Sequence, residues 1–270
     1  MTTRIAQISD AHLSATRPFF AANFAAVAEA VRAARPDLML ATGDLSLDGA
    51  DSDADLAHAV AEHAAIGPDW LCVPGNHDVG DEPVLGGRQP VNAVRLERWH
   101  RIAGPSAWVH DIPGWRLIGL DTQSLMVDEA QWEVIERGMR EAGARRVAFI
   151  QHKPLAEHRI TDTAVNYWPV LPEPRARLLA LGRPSLVLSG HVHQWLERDV
   201  DGIAQVWAPA TGFIVGDAWQ ATLGAKLLGW VEHEFHADGR HQARLHAMAG
   251  LRLDDIGAMP EVYGLMPRVS

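Results

Sequence analysis

Short runs of apolar, often β-branched residues alternate along the chain with longer stretches in which apolar residues recur every three or four positions. The first pattern is typical of buried strands and the second of amphipathic helices. Strands are predicted over residues 4–9, 37–42, 70–74, 115–120, 145–151 and 185–189. Helices are predicted over residues 21–35 and 53–66, and between Asp128, as N-cap, and Gly143. This alternation predicts an α/β fold of packed layers.

The pattern is weaker in the C-terminal part of the chain. Residues 206–212, 229–235 and 243–248 predict further strands of a second sheet. Residues 250–270 have a mixed composition and could pack against a second copy of the chain, which leaves a homo-oligomer open. Since no linker, low-complexity run or short-period repeat divides the sequence, residues 1–270 are predicted to form a single domain.

Composition and charge narrow the class of partner. The chain has 270 residues, of which 47% are hydrophobic, enough for a substantial core. Its formal net charge is -10, and nearly all of its positive charge comes from arginine, since the only lysines are Lys153 and Lys226. No run of basic residues could follow a phosphate backbone, so a nucleic-acid partner is not expected. A small anionic substrate is compatible with this balance where bound metal ions supply positive charge locally.

The sequence carries no sign of export or of membrane insertion. No apolar run approaches the roughly 20 residues that a membrane-spanning helix needs, and residues 1–10 lack the apolar core of a signal peptide. The single cysteine, Cys72, excludes an intrachain disulfide. The protein is therefore predicted to be cytoplasmic and not to act at a membrane.

Polar residues of the types that bind metal ions follow the C-terminal ends of five predicted strands. They are Asp10 and His12, Asp44, the run Asn76, His77 and Asp78, then His152, and finally His191 and His193. Because the ligand site of an open α/β sheet lies at the carboxyl ends of its strands, these side chains are expected to converge. Scattered through the chain, the same residue types would carry little information. Clustered at equivalent strand ends, they predict one site.

The chemistry of these side chains suits a pair of metal ions. Carboxylate, amide and imidazole ligands together suit manganese, iron, cobalt or zinc. Asp44 has two carboxylate oxygens and can bridge ions about 3.5–4 Å apart, while Gly43, Gly75 and Gly190 permit close turns between ligands. Taken singly, Asp44 could instead form a turn or a helix cap, and His152 could be an ordinary hydrogen-bonded histidine. The combination, rather than any one residue, predicts a metal site.

Five short motifs carry a family resemblance. They are Asp-x-His, Gly-Asp, Gly-Asn-His-Asp, a histidine before x-Pro, and Gly-His-x-His, in that order from Asp10 to His193. With these motifs the sequence resembles the calcineurin-like metallophosphoesterase superfamily. Its length and its opening from Ser9 to Leu13 look most like the cyclic-nucleotide and glycerophosphodiester phosphodiesterase branch. The resemblance implies a four-layered α/β/β/α sandwich, in which two facing mixed β-sheets are flanked by helices.

The resemblance also implies a role for each motif residue. The ligands that it implies for the first metal are Asp10, His12 and His193. Those for the second metal are Asn76, His152 and His191, with Asp44 bridging the two ions. His77 is expected to be the catalytic histidine near the substrate phosphate, and Asp78 is expected to orient it.

Two features differ from particular branches of the superfamily. Where many relatives have His-His-Pro-Pro, this chain has His-Lys-Pro at 152–154, so the group beside a predicted ligand is changed. The purple acid phosphatase branch has a metal-binding tyrosine, but Tyr167 and Tyr263 are both remote from the motifs along the chain, and no tyrosine ligand is predicted. Residues 158–172 have no clear period and predict either a loop over the metals or a surface connection.

Together these features predict a dinuclear-metal-dependent phosphodiesterase that hydrolyses a small phosphodiester, either a cyclic nucleotide or a glycerophosphodiester. A hydroxide that bridges the metals is expected to attack phosphorus, while His77 stabilises the developing charge or protonates the leaving group. A phosphomonoesterase that acts on a small phosphorylated metabolite is the first alternative. A non-catalytic metal-binding scaffold is less favoured, because every expected ligand and the expected catalytic histidine are present.

Overall fold

The computed structural model describes residues 1–265. Its strands are β1 (Thr2–Ile8), β2 (Leu38–Thr42), β3 (Trp70–Val73), β4 (Trp108–Ile112), β5 (Trp115–Gly119), β6 (Arg146–Ile150), β7 (Leu186–Ser189), β8 (Leu196–Val200), β9 (Ile203–Trp207), β10 (Gly229–His236) and β11 (His241–Ala247). Its α-helices are α1 (Ala21–Ala34), α2 (Asp53–Ala64), α3 (Asn76–Val79), α4 (Ala93–Ile102), α5 (Glu129–Arg140), α6 (Pro172–Leu181) and α7 (Pro260–Tyr263). The six strands and three helices predicted before residue 190 are all present, with small shifts at their ends.

The strands form two mixed sheets. In the first, the order is β11-β10-β1-β2-β3, with β1, β2 and β3 parallel and β10 antiparallel to β1. In the second, the order is β4-β5-β6-β7-β9-β8, with a parallel centre and an antiparallel strand at each edge. Parallel strands place their carboxyl ends at the same edge of a sheet, and the motif loops emerge from those ends.

Three apolar cores separate four layers. Helices α1 and α4 pack on the outer face of the first sheet through Phe24 and Trp99. The two sheets pack on each other through residues such as Leu40 and Leu117, and α5 covers the second sheet through Trp132. The predicted α/β/β/α sandwich is therefore confirmed.

The C-terminal strands differ from prediction in the sheet that they join. Of the three strands predicted for the second sheet, only 206–212 contributes to it, and only through residues 206 and 207 at the end of β9, whereas β10 and β11 extend the first sheet beyond β1. Alternation of polar and apolar residues identifies the buried face of a strand but not its partner, so the sequence could not assign the sheet. The edge strands β4 and β8 and helices α4 and α6 were not predicted; β8 exposes Glu197 and Asp199, which hides its alternation.

The segment from residue 250 onward packs on its own chain as far as the structure describes it. Ile256 and Val262 are buried against Phe20 and Phe213, and residue 214 pairs with residue 255 in a short β-bridge. The predicted contact with a second copy concerned residues 250–270, of which 266–270 lie outside the described residues. Within residues 1–265, no helix combines the length and the hydropathy needed to cross a membrane.

Candidate metal centre

The loops that follow β1, β2, β3, β6 and β7 meet at one edge of the two sheets. The backbone N–H of His12 donates to the carbonyl of Asp44 over 3.0 Å, which ties the loop after β1 to the loop after β2. The N–H of Gly190 donates to the carbonyl of His152 over 2.9 Å, which ties the loop after β7 to the loop after β6. The expected convergence of the strand ends is thus present in the structure.

An unusual backbone conformation marks the predicted ligands. Five of them lie in the left-handed region: Asp10 (φ 56°), His12 (φ 47°), Asp44 (φ 50°), His191 (φ 68°) and His193 (φ 52°). Among the described non-glycine residues, only Arg35 and Asp201 share a positive φ. This region is unfavourable for residues with a Cβ atom, and such strain concentrates at functional sites. The fold therefore holds these five side chains in directions that relaxed loops would not adopt.

The first group of ligand atoms comes from Asp10, His12, Asp44 and His193, all of them buried, with the atoms within 4.8 Å of one another. The Nε2 atom of His193 lies 3.2 Å from Oδ1 of Asp10 and 3.4 Å from Nε2 of His12. The Nδ1–H of His193 donates to the carbonyl of Phe213 over 2.9 Å. Because Nδ1 carries the proton, the lone pair of Nε2 faces the group, as a metal ligand requires.

The second group contains Asp44, His152 and His191. The Nδ1–H of His152 donates to the carbonyl of Thr42 over 2.7 Å, so Nε2 faces the group, 3.2 Å from Nδ1 of His191. The Oδ1 atom of Asn76 lies 3.3 Å from the same Nε2 atom. The amide oxygen of Asn76 therefore joins the three residues that can hold a cation.

Asp44 belongs to both groups. Its Oδ2 atom lies 3.7 Å from Nε2 of His12 and 3.3 Å from Nε2 of His152. Its Oδ1 atom accepts the backbone N–H of His77 over 2.8 Å. Since Oδ1 is held from the outside, Oδ2 is directed into the space between the two groups.

Burial and neighbouring carboxylates act in opposite directions on the histidines of the site. Burial lowers the pKa of His12 and of His191 well below the usual value, so both rings are neutral and keep a lone pair. Burial alone would also lower the pKa of His152, but the Asp44 carboxylate beside it raises that pKa to about 9. Buried carboxylates and imidazoles whose ligand atoms face one another are a donor set that fits manganese, iron, cobalt or zinc.

His77 stands beside the two groups rather than within them. Its Nδ1–H donates to the carbonyl of Leu47 over 3.1 Å, which leaves Nε2 free, and its ring centroid lies 4.7 Å from that of His12. A histidine with one fixed nitrogen and one free nitrogen at the edge of such a site can donate a proton or a hydrogen bond to a substrate.

Asp78 does not have the partner that the sequence predicted. Its carboxylate accepts backbone N–H groups of Leu45 (3.1 Å), Ser46 (3.0 Å) and Gly75 (2.9 Å). Neither carboxylate oxygen bonds to His77, whose ring is held by the carbonyl of Leu47 instead. The reason is that consecutive residues of the one-turn helix α3 point in different directions. Asp78 therefore connects the loop after β2 to the loop after β3.

Both tyrosines reach the site despite their distance from the motifs along the chain. The hydroxyl of Tyr263 lies 2.7 Å from Nδ1 of His12, and the hydroxyl of Tyr167 accepts the Nδ2–H of Asn76 over 3.2 Å. Sequence reasoning missed these contacts, because no local pattern links residues so far apart. Tyr167 lies within residues 158–172, so this segment covers the site, as one of its two predicted interpretations required.

Two adjoining cavities open at this edge of the fold. The smaller, of about 100 Å³, is lined by five of the predicted ligands, which are His12, Asp44, Asn76, His191 and His193, together with Tyr167 and Trp168. The larger, of about 290 Å³, is lined on one side by Arg17 and Arg88. His77 and Tyr263 are the residues common to both linings. A molecule that entered both cavities would pass these two side chains.

Lys153, which departs from the superfamily pattern, turns away from both cavities. It is completely buried, and its Nζ atom lies 2.7 Å from Oε2 of the buried Glu82. The same Nζ atom lies 4.8 Å from the centre of the Tyr167 ring. Lys153 therefore supports the segment 158–172 through its contact with the Tyr167 ring.

Comparison with known proteins places this geometry among phosphoesterases. A family model described as calcineurin-like phosphoesterase matches residues 3–195. The 3',5'-cyclic adenosine monophosphate phosphodiesterase of Escherichia coli (strain K12) is 29% identical over 273 residues, covering 92% of this chain and 91% of that protein. A protein of Synechococcus named "Probable cyclic nucleotide phosphodiesterase" is 28% identical over 91% of this chain and 92% of its own length.

Solved structures agree on the fold. The GAP50 protein of Plasmodium aligns with a TM-score of 0.62 and 11% identity, covering all of this chain (100%) and 89% of that chain. A dimetal phosphatase from Danio rerio aligns with a TM-score of 0.58 and 14% identity, covering 91% of this chain and 96% of that chain. At these identities the likeness concerns the architecture alone.

Proposed function

Because the chain belongs to the calcineurin-like phosphoesterase family and is a phosphoric ester hydrolase, we propose that it is a two-metal phosphodiesterase that acts on a cyclic nucleotide. The observation that carries the proposal is the position of Asp44, whose Oδ2 atom lies 3.7 Å from Nε2 of His12 and 3.3 Å from Nε2 of His152. A carboxylate between two ligand groups is what a pair of ions about 3.5–4 Å apart requires. The two curated relatives, named as phosphodiesterases of cyclic nucleotides, support the substrate class.

Each predicted ligand takes a place in this proposal. The first metal would be held by Asp10, His12 and His193, the second by Asn76, His152 and His191, and Asp44 would be a ligand of both. Ions bound there would supply Lewis acidity toward the phosphate oxygens and would lower the pKa of water to about 7. The donor set suits manganese, iron, cobalt or zinc.

His77 acts on the leaving group. Its Nδ1–H is engaged by the carbonyl of Leu47, so Nε2 is the atom that holds or transfers the proton. It lines both the cavity of the ligand groups and the larger cavity. At this boundary a proton on Nε2 neutralises the oxygen that departs from phosphorus, an effect worth about 10²–10⁴-fold in rate.

The cavities favour a small substrate. Taken together, the two cavities of about 100 and 290 Å³ reach the lower end of the range of about 300–1,000 Å³ that is typical of small-molecule sites. The larger cavity is lined by the two cationic side chains of Arg17 and Arg88 and by the carboxylate of Asp48, which lies 3.7 Å from Arg17, so it has an excess of positive charge although the whole chain carries a net charge of -10. A mononucleotide fits this combination, with its phosphate at the ligand groups and the remainder in the larger cavity.

The test compares esters with wild-type protein and the Asp44→Asn variant, both loaded with Mn²⁺. We expect the wild type to hydrolyse cyclic AMP faster than a glycerophosphodiester or a phosphomonoester, and the variant to lose that activity together with bound metal. Asn keeps the shape of the side chain and can still accept the N–H of His77, so the variant removes mainly the bridging charge.

Each other result contradicts a stated part of the proposal. A preference for the glycerophosphodiester would replace the substrate class, and a preference for the monoester would indicate a phosphomonoesterase. Wild-type protein that binds two Mn²⁺ ions per chain but hydrolyses none of these esters would contradict the catalytic role itself.

A further inference from the structure

On the basis of the proposed metal pair, we propose that Tyr167 and Tyr263 are positioning residues, each of which holds the ligands of one metal. Both hydroxyl groups bond to a predicted ligand through an atom that faces away from the ligand group. A partner of that kind fixes the orientation of the ligand and the nitrogen that carries its proton. The two tyrosines divide the site between them, Tyr263 with the first metal and Tyr167 with the second.

The contact at the first metal is the bond between Tyr263 and His12. Nε2 of His12 faces Asp44 and His193, at 3.7 and 3.4 Å. Nδ1 of the same ring lies 2.7 Å from the Tyr263 hydroxyl. With Nε2 committed to the metal, Nδ1 carries the proton and donates it to the hydroxyl oxygen. Tyr263 therefore holds the His12 ring in the orientation in which Nε2 faces the ion.

Tyr263 can hold this position because its segment is anchored. The neighbouring Val262 is buried at 6% exposure, and Ile256 at 2%, in a cluster with Phe20 and Phe213. The Asp255 side chain accepts the N–H of Gly257 over 3.1 Å and starts a 3-10 turn there. The ring of Tyr263 also lies 4.7 Å from the ring of His77, centre to centre. The packing of this segment therefore fixes the position of the Tyr263 hydroxyl.

The contacts at the second metal come from Tyr167. Its hydroxyl accepts the Nδ2–H of Asn76 over 3.2 Å, which turns the amide so that Oδ1 faces Nε2 of His152 at 3.3 Å. Its backbone carbonyl accepts the Nε2–H of His191 over 3.3 Å, which leaves Nδ1 of that ring directed at His152. One residue thereby orients two ligands of the same metal.

The buried ion pair of Lys153 and Glu82 supports Tyr167. Both side chains are almost inaccessible to solvent, and the Nζ atom of Lys153 lies 4.8 Å from the Tyr167 ring. A buried ammonium group over an aromatic face contributes attraction as well as packing. The lysine that departs from the superfamily pattern thus acts on the second metal indirectly, through the ring above it.

The experiment measures Mn²⁺ affinity in Tyr167→Phe and Tyr263→Phe, starting from metal-free protein. Phe keeps the ring and its packing and removes only the hydroxyl. We expect each variant to bind one of two Mn²⁺ ions about 10-fold more weakly, with the other affinity unchanged. Since the chain contains only these two tyrosines, each variant is the matched control of the other.

Removal of one metal identifies which tyrosine serves which site. In an Asn76→Ala background, which weakens the second site, Tyr263→Phe should still lower the remaining affinity and Tyr167→Phe should have a smaller effect than in the wild type. In a His12→Ala background the order should reverse. The proposed contacts predict that the effect of each tyrosine substitution on Mn²⁺ affinity depends on the ligand that this tyrosine contacts. The same effect should simply add to that of substituting a ligand of the other metal.

The outcomes separate this inference from the proposed function, because the measurement uses the metal alone. Unchanged affinities in both variants, or equal loss at both sites in each variant, would overturn the positioning role. Wild-type protein that fails to bind two Mn²⁺ ions per chain would contradict the metal pair. Two intact affinities with no ester hydrolysis would contradict only the phosphodiesterase activity.

Discussion

Two kinds of strand end meet at the same edge of this fold. The loops after β1 and β2 carry Asp10 and Asp44, which join the ligand groups. The loop after β5 also presents a buried carboxylate, Asp121, and β5 runs parallel to β6, whose loop carries His152. Asp121 nevertheless belongs to neither ligand group.

The difference lies in the partners of the carboxylates. The Asp121 oxygens are occupied by their own loop, with the N–H of Gln123 at 2.9 Å and the hydroxyl of Ser124 at 2.5 Å. Asp10 and Asp44 have left-handed backbones that turn their carboxylates toward histidine nitrogens of other loops. A carboxylate at the right edge is therefore a ligand only where the backbone directs it outward from its own turn.

The largest effect should separate these two carboxylates. Asp10→Asn removes a charged ligand of the first metal, so we expect hydrolysis of cyclic AMP to fall to the uncatalysed background. Asp121→Asn is the matched control and should keep wild-type activity, because its oxygens face only Gln123 and Ser124. Steady-state kinetics at saturating Mn²⁺ check both variants. Equal losses of activity in the two variants would mean that Asp10 and Asp121 do not differ in function.

A smaller loss of activity is expected for substitution of His77, which follows β3 and lies beside the ligand groups. His77→Ala should reduce kcat by about 10²–10⁴-fold, because a proton donor is lost. Both Mn²⁺ ions should remain bound, since His77 lies outside the two ligand groups. Metal content of the purified variant serves as the internal control. Full activity in this variant would remove His77 from the proposed chemistry.

The smallest effect concerns stability rather than activity. Burial raises the pKa of Asp121 to about 7, above the value near 4 of an unfolded chain, so the fold favours the protonated carboxyl. This contribution is complete below about pH 4 and is lost as the pH rises through 7, at up to about 1.4 kcal/mol of unfolding free energy per pH unit.

The measurement is urea unfolding of metal-free wild type and Asp121→Asn between pH 5 and 7. The wild type should lose stability relative to the variant across this range, because Asn does not titrate. The histidines of the ligand groups titrate in both proteins and cancel in the difference. Parallel stability curves would show that Asp121 is already ionised at pH 5.

Local sequence patterns were sufficient for an α/β fold of packed layers and for the convergence of the motif residues, whereas the four-layered arrangement was expected only from the family resemblance. Strand periodicity identifies where each strand ends, and residue chemistry identifies what a loop can bind there. Sheet membership of β10 and β11 could not be predicted, since alternation within a strand contains no information about its neighbour.

Side-chain direction was the second limit of prediction. Asp78 follows His77 in the chain, yet its carboxylate bonds to the backbone N–H groups of Leu45 and Ser46 in the loop after β2 and to that of Gly75 in its own segment. Tyr167 and Tyr263 have no periodic relation to the motifs, and their contacts with Asn76 and His12 arise only from tertiary packing. Contacts of this kind depend on rotamers and loop paths that single-sequence patterns do not encode.

The hydrogen bond between Tyr263 and His12 joins residues 251 positions apart, which has a consequence for biosynthesis. A ribosome completes β1 and its ligand loop long before it adds Tyr263, so a nascent chain exposes His12 without the hydroxyl that holds its ring. Closing so long a loop is also entropically slow compared with local helix formation. The orientation of His12 that Tyr263 provides is therefore available only after the C-terminal segment has docked, late in the folding of each chain.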